Sequence, residues 1–302
     1  MHAGQNAATM PRALLIANPS SGGGKVTRLL PAVRERLRAL GVEHDLELTR
    51  SLEHAGELAG AALARGELPV AFAGDGVAGA VAGAAAAREG AVIGVLPGGS
   101  GNDFCRHVGI PQDAVEACAV IARGTPSPVD LGEANGRPFL GIASLGFDSE
   151  ANALANRAPR FLGRGIYVYG ALGAVARWRP ARFDVTVDGA QESFDGWSVI
   201  VANTSVYGGG MYVAPDARVD DGLLDVVLIR KTGRLRFLAS FPRVFRGTHV
   251  RERNVSVRRG REVRVSASRA FDVYADGDPV ATLPVHVRSL PAAVRVLLPA
   301  GS

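Results

Sequence analysis

The sequence has little cysteine, no long apolar run and no cluster of histidines. Cys105 and Cys118 are the only two cysteines. Two thiols are too few for a disulfide framework, and their spacing is not that of a metal site, so we expect reduced structural thiols. No stretch reaches the roughly 18 consecutive apolar residues of a membrane-spanning helix, and residues 1–10 lack the basic start and apolar block of a signal peptide. These absences predict a cytoplasmic protein.

Size and composition predict a folded chain with two domains. The 302 residues leave room for two cores, and 47% of them are hydrophobic, which excludes a disordered protein. The chain has no internal repeat and no low-complexity tract.

The positive charge is concentrated in one segment. Residues 230–264 carry 12 Lys/Arg and two Asp/Glu, a net charge of +10, whereas residues 1–128 have a net charge of −1. Such a segment can face an anionic bilayer, a nucleic acid or only water. Phe237, Phe241 and Phe245 recur within it every four residues, which indicates a helical core stripe better than base stacking.

Two apolar runs that each end in a glycine-rich turn are the most informative part of the sequence. Leu68–Ala73 is followed by Gly74-Asp75-Gly76, and residues 91–96 are followed by Pro-Gly-Gly-Ser-Gly-Asn-Asp at 97–103. Either turn alone is an ordinary strand-to-helix connector. Together they predict a polyphosphate cradle, because glycine lets the backbone approach an anion and the following helix presents free N–H groups. Asp75 and Asp103 fit such a cradle if they share a divalent cation with the phosphates.

Another glycine-rich loop, residues 18–25, follows the predicted strand at residues 12–17. It fails the Walker A pattern, because Lys25 is followed by Val26 and Pro19 stands where the first glycine is required. It also fails the dinucleotide fingerprint, because its glycines are contiguous. The loop is therefore a phosphate-site candidate only by its position after a strand.

The alternation of elements predicts a parallel sheet for the first half of the chain. Helices are predicted at 26–40 and 52–65, and a further strand at 44–48. Ligands bind at the carboxyl ends of such strands. The predicted positions there are Asn18, Thr49, Gly74 and Ser100.

Strand patterns dominate after the turn-rich link at 123–128, and they predict a mainly antiparallel β-sandwich. The predicted strands are 129–133, 139–144, 183–187, 197–203, 223–229 and 263–267. Helices are predicted at about 149–156, 166–178 and 235–245.

Five motifs, in order along the chain, give a resemblance to a known family. They are Asn-Pro-Ser-Ser-Gly at 18–22, Gly-Asp-Gly at 74–76, Leu-Pro-Gly-Gly-Ser-Gly-Asn-Asp-Phe at 96–104, the segments 214–217 and 220–226, and Asp-Gly-Asp-Pro at 276–279. With them the chain resembles the diacylglycerol kinase catalytic-domain family, which includes bacterial lipid kinases and sphingosine kinases and is related in structure to NAD kinases.

The resemblance implies a fold and a set of site residues. The fold is an α/β Rossmann-like nucleotide-binding domain over 12–128, to which 287–300 return, and a β-sandwich over 129–286 that takes the lipid. The implied cofactors are Mg²⁺ and ATP as co-substrate. Nucleotide contacts are expected at Asn18, Thr49, Ala73, Gly74, Asp75, Gly76, Val77, Ala78, Gly79, Ser100, Asn102 and Asp103. A magnesium ion is expected on Asp221 with the backbone carbonyls of Arg218 and Leu223, and the catalytic base is expected at Asp278, with Asp75 as the next candidate.

The sequence departs from the family pattern at two places. The family has Thr after Gly-Asp-Gly and then an Asn-Glu pair, whereas this chain has Val77, Gly79 and Ala80. A hydrogen bond to a charged group is worth about 1.5–3 kcal/mol, so the lost threonine hydroxyl alone predicts ten- to hundredfold weaker binding or turnover. The family glutamate after Asp-Gly is Asp278, one methylene shorter.

Three functions of different classes follow from these residues. The first is an ATP-dependent lipid kinase that contacts anionic membrane through residues 230–264. The second is a non-catalytic relative that binds nucleotide or lipid, and the third is an NAD kinase, disfavoured by the lipid-kinase signature at 214–226. Nucleic acid is not an expected partner, because no reader motif accompanies the basic segment. The lipid and a homodimer are left open.

Overall fold

The computed structural model describes residues 11–156, 173–175 and 178–300. The first part alternates strands and helices. The strands are β1 (Ala13–Ala17), β2 (His44–Leu48), β3 (Leu68–Ala73) and β4 (Val92–Pro97), and the helices are α1 (Ser21–Ala39), α2 (Leu52–Ala64), α3 (Asp75–Ala86), α4 (Asp103–His107) and α5 (Ala114–Arg123). The sequence predicts the four strands and α2 within one residue at each end, and it predicts α1 with a later start. It also predicts a helix after each of the two glycine turns, where α3 and α4 lie, without giving their bounds, and it does not predict α5.

The four strands form a parallel sheet in the order β4-β3-β1-β2. Because they are parallel, their carboxyl ends lie at one edge, and the residues that follow them, Asn18, Thr49, Gly74 and Gly98, share that edge. β1 and β3 are buried along their whole length, which explains their uninterrupted apolar sequence. Three glycines with left-handed backbone, Gly22 to Gly24, interrupt the start of α1, so its regular part begins where the sequence predicts.

The second part is antiparallel. Its strands are β5 (Thr125–Ala134), β6 (Arg137–Phe139), β7 (Ile142–Gly146), β8 (Ala181–Val187), β9 (Ala190–Ala202), β10 (Leu224–Arg230), β11 (Val255–Gly260), β12 (Glu262–Ala267), β13 (Asp272–Ala275), β14 (Asp278–Thr282) and β15 (Val285–Leu298). The longer helices among the described residues of this part are α6 (Phe147–Asn156) and α7 (Arg234–Val244). The helix predicted at 166–178 lies largely outside the described residues.

The long strand β15 belongs to both sheets. It pairs antiparallel with β12 and β5, and near its end it pairs parallel with β4 at Arg295 and Val296. The predicted strand 139–144 is wrong as a single element, because the chain breaks between β6 and β7 at Leu140 and Gly141. The amides of both residues donate to the Asp276 side chain instead of a neighbouring strand.

Two large cores correspond to the two sheets. One is built on β1, β3 and the helices around them, and the other is an aromatic core inside the antiparallel part. Trp178, Trp197 and Phe183 are fully buried in the second core. Cys105 and Cys118 are free buried thiols, as the sequence predicts. Within the described residues, no helix is long and apolar enough to span a membrane.

Candidate active site

Three glycine turns meet at the carboxyl edge of the parallel sheet: the first at residues 18–25, the second at 74–76 and the third at 97–103. A Cβ placed on Gly22 would lie 2.6 Å from the Gly98 carbonyl oxygen, and one placed on Gly99 would lie 2.6 Å from the Gly74 Cα. Real Cβ atoms do not approach backbone this closely, so these positions require glycine. The loop at 18–25 therefore packs directly on the other two turns. The structure brings together the two turns that the sequence predicts as a phosphate cradle and the loop at 18–25, which the sequence marks only by its position after a strand.

Two asparagines hold these turns in shape. The Asn18 Oδ1 accepts from both the backbone N–H and the hydroxyl of Ser20, at 3.0 and 2.8 Å. Asn102 has a left-handed backbone, with φ 52°, and its side chain accepts from the Gly99 N–H and donates to the Gly99 carbonyl. Both side chains are therefore committed to the loops. Their predicted nucleotide contacts stay predictions.

Thr49 and Ser100 occupy different environments at the same edge. Thr49 is 4% exposed, and its hydroxyl donates to the Ser51 carbonyl at 2.7 Å. Ser100 lies in the turn after β4 and is exposed. Only Ser100 has a hydroxyl that reaches solvent without rearrangement. The predicted ATP contact is therefore simpler for Ser100 than for Thr49.

Asp75 ties the second turn to the third. Its two carboxylate oxygens accept the backbone N–H groups of Asp103 and Phe104, each at 3.1 Å. Burial raises the pKa of Asp75 above 3.8, while these amide bonds oppose the shift. The structure thus gives Asp75 a clear task in joining the β3–α3 turn to α4. Its predicted role as a catalytic candidate stays a prediction.

Asp103 is the carboxylate best placed to accept a cation. Its Oδ2 accepts the Gly209 N–H at 2.8 Å, and its buried Oδ1 has no hydrogen-bond partner within the described part of the chain. The nearest cation in an ion pair with it is Arg106, whose Nε is 4.0 Å from Oδ1. Burial and the Asp75 charge raise the pKa of Asp103 to about 6. An orphaned buried oxygen beside a second carboxylate suits a divalent ion that also binds phosphate.

No protein-only metal cage surrounds these carboxylates. Within residues 11–156, 173–175 and 178–300, no group of three or more His, Cys, Asp or Glu side chains is arranged to hold a metal ion. Magnesium that accompanies a nucleotide usually takes one or two carboxylates and completes its shell with phosphate oxygens and water. Asp75 and Asp103 can supply the one or two carboxylates that a magnesium ion bound with a nucleotide needs.

Asp276 joins the last glycine turn to the rest of the site. Its carboxylate accepts the backbone N–H groups of Leu140, Gly141 and Ile142, at 2.8–3.2 Å. Burial, with the Asp75 charge adding to it, raises the pKa of Asp276 to about 7 against these bonds. The β13–β14 turn is thereby fixed over α3, with the Asp276 carboxylate near Gly79.

Asp278 lies against the first turn of α3. A Cβ on Gly76 would collide with its carboxylate, so Asp278 stands directly over the second glycine turn. Burial, followed by the charge of Glu53, raises the pKa of Asp278. Asp278 also lines a groove together with Gly79, Ala80 and Gly83 of α3. The predicted base is therefore adjacent to the predicted cradle, although the two are about 200 residues apart in the chain.

Gly79 stands where the family has asparagine, and we expect it not to tolerate a side chain. A Cβ there would lie 2.6 Å from the Asp276 Oδ2, and that carboxylate cannot turn away without releasing its amides. Gly79→Ala should lower the free energy of unfolding by about 1–3 kcal/mol. Gly60→Ala in α2 is the matched control, because a Cβ there meets nothing within 4 Å. It should raise stability by about 0.5–1 kcal/mol. Urea denaturation giving the same change for both variants would contradict this explanation.

The loop predicted to hold a structural magnesium ion has a guanidinium on its carboxylate. Asp221 Oδ1 accepts the Leu223 N–H at 3.0 Å, and its other oxygen pairs with Arg259. The Arg259 Nε also lies 3.4 Å from the buried carboxylate of Asp225. A Mg²⁺ ion on Asp221 would have to share that carboxylate with Arg259, so this arrangement does not fit the ion. The magnesium assignment to Arg218, Asp221 and Leu223 stays a prediction.

A stability measurement separates the two ways of fastening this loop. We expect chelation to leave the melting temperature of the parent protein unchanged and Arg259→Met to lower its unfolding free energy by about 1–2 kcal/mol. The estimate is modest because Arg259 is 44% exposed and water screens the pair. Arg258→Met is the control, since Arg258 pairs with Glu192 on the outside. A parent protein that loses stability in EDTA would instead support the magnesium ion.

An apolar cavity in the second part of the chain adjoins the carboxylates. It lies under α7, between that helix and β9 and β10, and its walls include Phe147, Ile200, Ile229, Phe237 and Phe241. Tyr207 lines this cavity and also the small pocket formed by Asp75, Asp103 and Asp276. The apolar cavity and the carboxylate pocket therefore meet at one side chain. The sequence gives no signal for Tyr207 beyond its place before the run Gly208 to Gly210.

Comparisons with known proteins match both parts of the chain. Residues 12–134 match the family model described as the diacylglycerol kinase catalytic domain. Residues 141–298 match the model described as the YegS C-terminal NAD kinase beta sandwich-like domain. The boundary between the two models falls within the antiparallel part of the structure, between β5 and β7.

Relatives match most of the length of the chain. A diacylglycerol kinase from Mycobacterium tuberculosis is 34% identical over 294 residues, which cover 94% of each chain. One from Bacillus subtilis is 28% identical over 294 residues, covering 96% of this chain and 97% of the relative. A crystal structure of a diacylglycerol kinase from Bacillus anthracis superposes with a TM-score of 0.80 at 24% identity, covering 97% and 99% of the two chains. That structure confirms the predicted two-part fold.

Proposed function

The chain belongs to the diacylglycerol kinase catalytic-domain family of lipid kinases, and from that premise we propose that it transfers the γ-phosphate of Mg-ATP to the hydroxyl of a lipid. The single observation that carries the proposal is the junction at Tyr207 between an apolar cavity and a carboxylate pocket. A hydroxyl on an alkyl chain suits this junction, because the chain is apolar and the reacting oxygen needs polar partners.

The three glycine turns would hold the nucleotide phosphates through backbone N–H groups. Asp103, with Asp75 beside it, would take a share of the magnesium ion. A bound magnesium ion neutralises charge that develops on the transferring phosphoryl group. Asp75 keeps the second and third turns in register, and Asn18 and Asn102 keep the first and third turns closed. These residues position the phosphates and do not change covalently.

Asp278 would accept the proton of the lipid hydroxyl as the phosphoryl group is transferred. It lies over Gly76 in the first turn of α3, the helix that starts within the second glycine turn, and Asp276 fixes the β13–β14 turn that presents it. Burial raises its pKa, which brings a carboxylate closer to the basicity useful near neutral pH. The shorter aspartate replaces the family glutamate at a point where α3 carries glycine, so the helix backbone can come close to it.

A non-catalytic role is the second candidate, and Val77 favours it. Val77 is 4% exposed and packs in the first core, so the hydroxyl that the family threonine would supply is missing. The neighbouring backbone N–H groups remain. An NAD kinase is a weaker candidate, because the full-length relatives named above are diacylglycerol kinases.

Transfer of label from γ-labelled ATP tests the proposal and its alternatives together. The purified chain is incubated with Mg-ATP and either a total lipid extract or NAD⁺, and the labelled product is identified. We expect label in a chloroform-soluble phosphate ester. Label in NADP⁺ would make the chain an NAD kinase. Nucleotide binding without transfer to either acceptor would establish the non-catalytic role.

We also propose that α7 brings the protein to anionic membrane. Leu235 is 86% exposed at the start of α7 and Phe245 is 43% exposed just after its end, which corrects the prediction that all three phenylalanines of this helix lie inside. Phe237 and Phe241 do pack inward. Arg234, Arg236 and Arg243 are exposed along the same helix. Apolar tips among arginines are typical of a helix that lies in a bilayer interface.

Binding to anionic vesicles should depend on salt and on α7. Each arginine near an anionic surface contributes on the order of 1 kcal/mol, so Arg234→Glu/Arg236→Glu should weaken binding to phosphatidylglycerol vesicles by tenfold or more at low salt. The control is Arg28→Glu/Arg88→Glu, which changes the same charge at exposed positions of α1 and the α3–β4 loop. Co-sedimentation measures both. Equal binding of the two double mutants, or equal binding of the parent protein to neutral vesicles, would remove α7 from membrane contact.

A further inference from the structure

Among the polar side chains that line the apolar cavity under α7, three have a buried atom without a hydrogen-bond partner, and the catalytic proposal does not use them. Asp148 and His249 line it, as does Asn254. Asp148 Oδ2, His249 Nδ1 and Asn254 Oδ1 are buried and have no hydrogen-bond partner in the described ranges. A buried polar atom without a hydrogen-bond partner costs free energy, because it has lost its bonds to water and gained none in the protein. Three of them around one apolar cavity indicate a ligand that supplies their partners.

All three orphaned atoms are acceptors. The His249 Nε2 lies 3.2 Å from the Val213 carbonyl, so that nitrogen carries the proton and Nδ1 has a free lone pair. Burial lowers the pKa of His249, which keeps the ring neutral. The carboxylate and amide oxygens of the other two also accept. The missing partners are therefore hydrogen-bond donors, such as hydroxyl or amino groups.

The surroundings of Asp148 show how apolar this place is. Phe147 makes edge contacts with Trp178, Trp197 and Phe237, at centroid distances of 4.9–5.8 Å. The backbone N–H of Asp148 donates to the Ser198 hydroxyl, at 3.3 Å. Burial raises the pKa of the Asp148 side chain to about 6. A carboxyl group next to an aromatic cluster is costly unless a ligand uses it.

We propose that Asp148, His249 and Asn254 select a lipid whose apolar chain carries a hydroxyl or amino group in addition to the hydroxyl that is phosphorylated. The chain would enter the cavity under α7, with its reacting end at Tyr207 and its internal donor at these acceptors. This inference rests on the proposed lipid kinase function and narrows its substrate. An unsubstituted diacylglycerol offers no such donor, because its ester groups only accept.

Binding without ATP tests the selection separately from phosphoryl transfer. Three C18 probes are compared in mixed micelles: 1-octadecanol, 1,12-octadecanediol and 2-amino-1-octadecanol. Trp197 reports binding through its fluorescence, because its ring stacks on Phe237 of the cavity wall, with a distance of 4.0 Å between the ring centroids. We expect at least one donor-bearing probe to bind about ten- to hundredfold more tightly than octadecanol. The diol and the amino alcohol distinguish a hydroxylated acyl chain from a long-chain amino alcohol.

Variants connect the preference to the cavity. Asp148→Leu should reduce the preference for donors by tenfold or more and leave octadecanol binding equal or tighter. Asp195→Leu on the exposed face of β9 should leave the preference unchanged. Equal affinity of the parent protein for the three probes would overturn the inference, whether or not the variants fold. An Asp148→Leu protein that binds the probes in the parent ratio would overturn it as well. Absence of phosphoryl transfer would count only against the kinase proposal.

Discussion

Asp278→Asn is expected to lower lipid kinase turnover by about 10²–10⁴-fold while the dissociation constant for ATP changes little. General-base assistance is typically worth this factor. The variant keeps the size of the side chain over Gly76 and removes its basicity. Initial rates and nucleotide titration measure the two quantities separately. Asp272→Asn, an exposed change on β13 of the same hairpin, is the control and should retain full turnover.

The pH profile gives a second readout of Asp278. Because burial raises the pKa of this carboxyl, the base becomes protonated at a higher pH than an ordinary aspartate with pKa 3.8. Turnover should therefore fall on the acid side at a pH above that value, and the limb should disappear in Asp278→Asn. Asp278→Glu tests whether the shorter side chain limits the reach to the hydroxyl. Unchanged turnover of Asp278→Asn would remove this residue from the mechanism and leave Asp75 as the next candidate.

Asp276→Ala is expected to destabilise the protein more than any other change at the site. Three backbone N–H groups between β6 and β7 lose their acceptor, and each unsatisfied donor costs about 1–3 kcal/mol. Partial access of water should leave a net loss of about 3–5 kcal/mol in the free energy of unfolding, measured in urea. Asp272→Ala should stay within about 0.5 kcal/mol of the parent protein. A loss of that small size for Asp276→Ala would show that the amides find other partners.

The effect of Asp276 should also depend on pH. Its pKa of about 7 in the fold lies above the ordinary 3.8, so between these values the native protein holds a proton that the unfolded chain has released. The unfolding free energy of the parent protein should therefore fall as pH rises from about 4 to 7. Asp276→Ala lacks this contribution. The difference between the two proteins should consequently be larger near pH 4 than above pH 7.

The elements of the first part of the chain could be predicted from the sequence because each of them has a local sequence pattern. β3 is an apolar run that ends in Gly74, and the turn after β4 contains Gly98, Gly99 and Asn102. The residues that identify each element follow it directly in the sequence. No local pattern predicts the close contact between Gly22 and Gly98. It follows instead from the parallel pairing of β1, β3 and β4, which places the ends of these strands at one edge of the sheet.

The elements of the second part were harder to predict because they depend on hydrogen bonds between residues that are far apart in the chain. The break between β6 and β7 exists because Asp276, 134–136 residues away, accepts the amides there. Asn203 is fully buried and donates to the Asp130 and Leu140 carbonyls, which no local pattern reveals. β11 and β14 are polar strands with few buried positions, so their alternation is weak. Neither strand is predicted from the sequence.

Site residues outside the motifs show the same limit. Gly209 reaches Asp103 across 106 residues, and Tyr207 joins two pockets that belong to different parts of the fold. Asp148 follows a glycine and a phenylalanine and looks like the ordinary start of a helix. Asp148 becomes a candidate site residue only in the folded protein, where β9, β10 and α7 supply the apolar walls of its cavity.

Hydrogen–deuterium exchange with and without Mg-ATP is the most direct test of whether the three glycine turns form one nucleotide site. Phosphate bound to backbone N–H groups slows their exchange. We therefore expect Mg-ATP to protect residues 18–25, 73–79 and 97–103 together, in the parent protein and equally in Asp278→Asn. Protection confined to other segments, with these three turns exchanging as fast as in the free protein, would contradict the assignment.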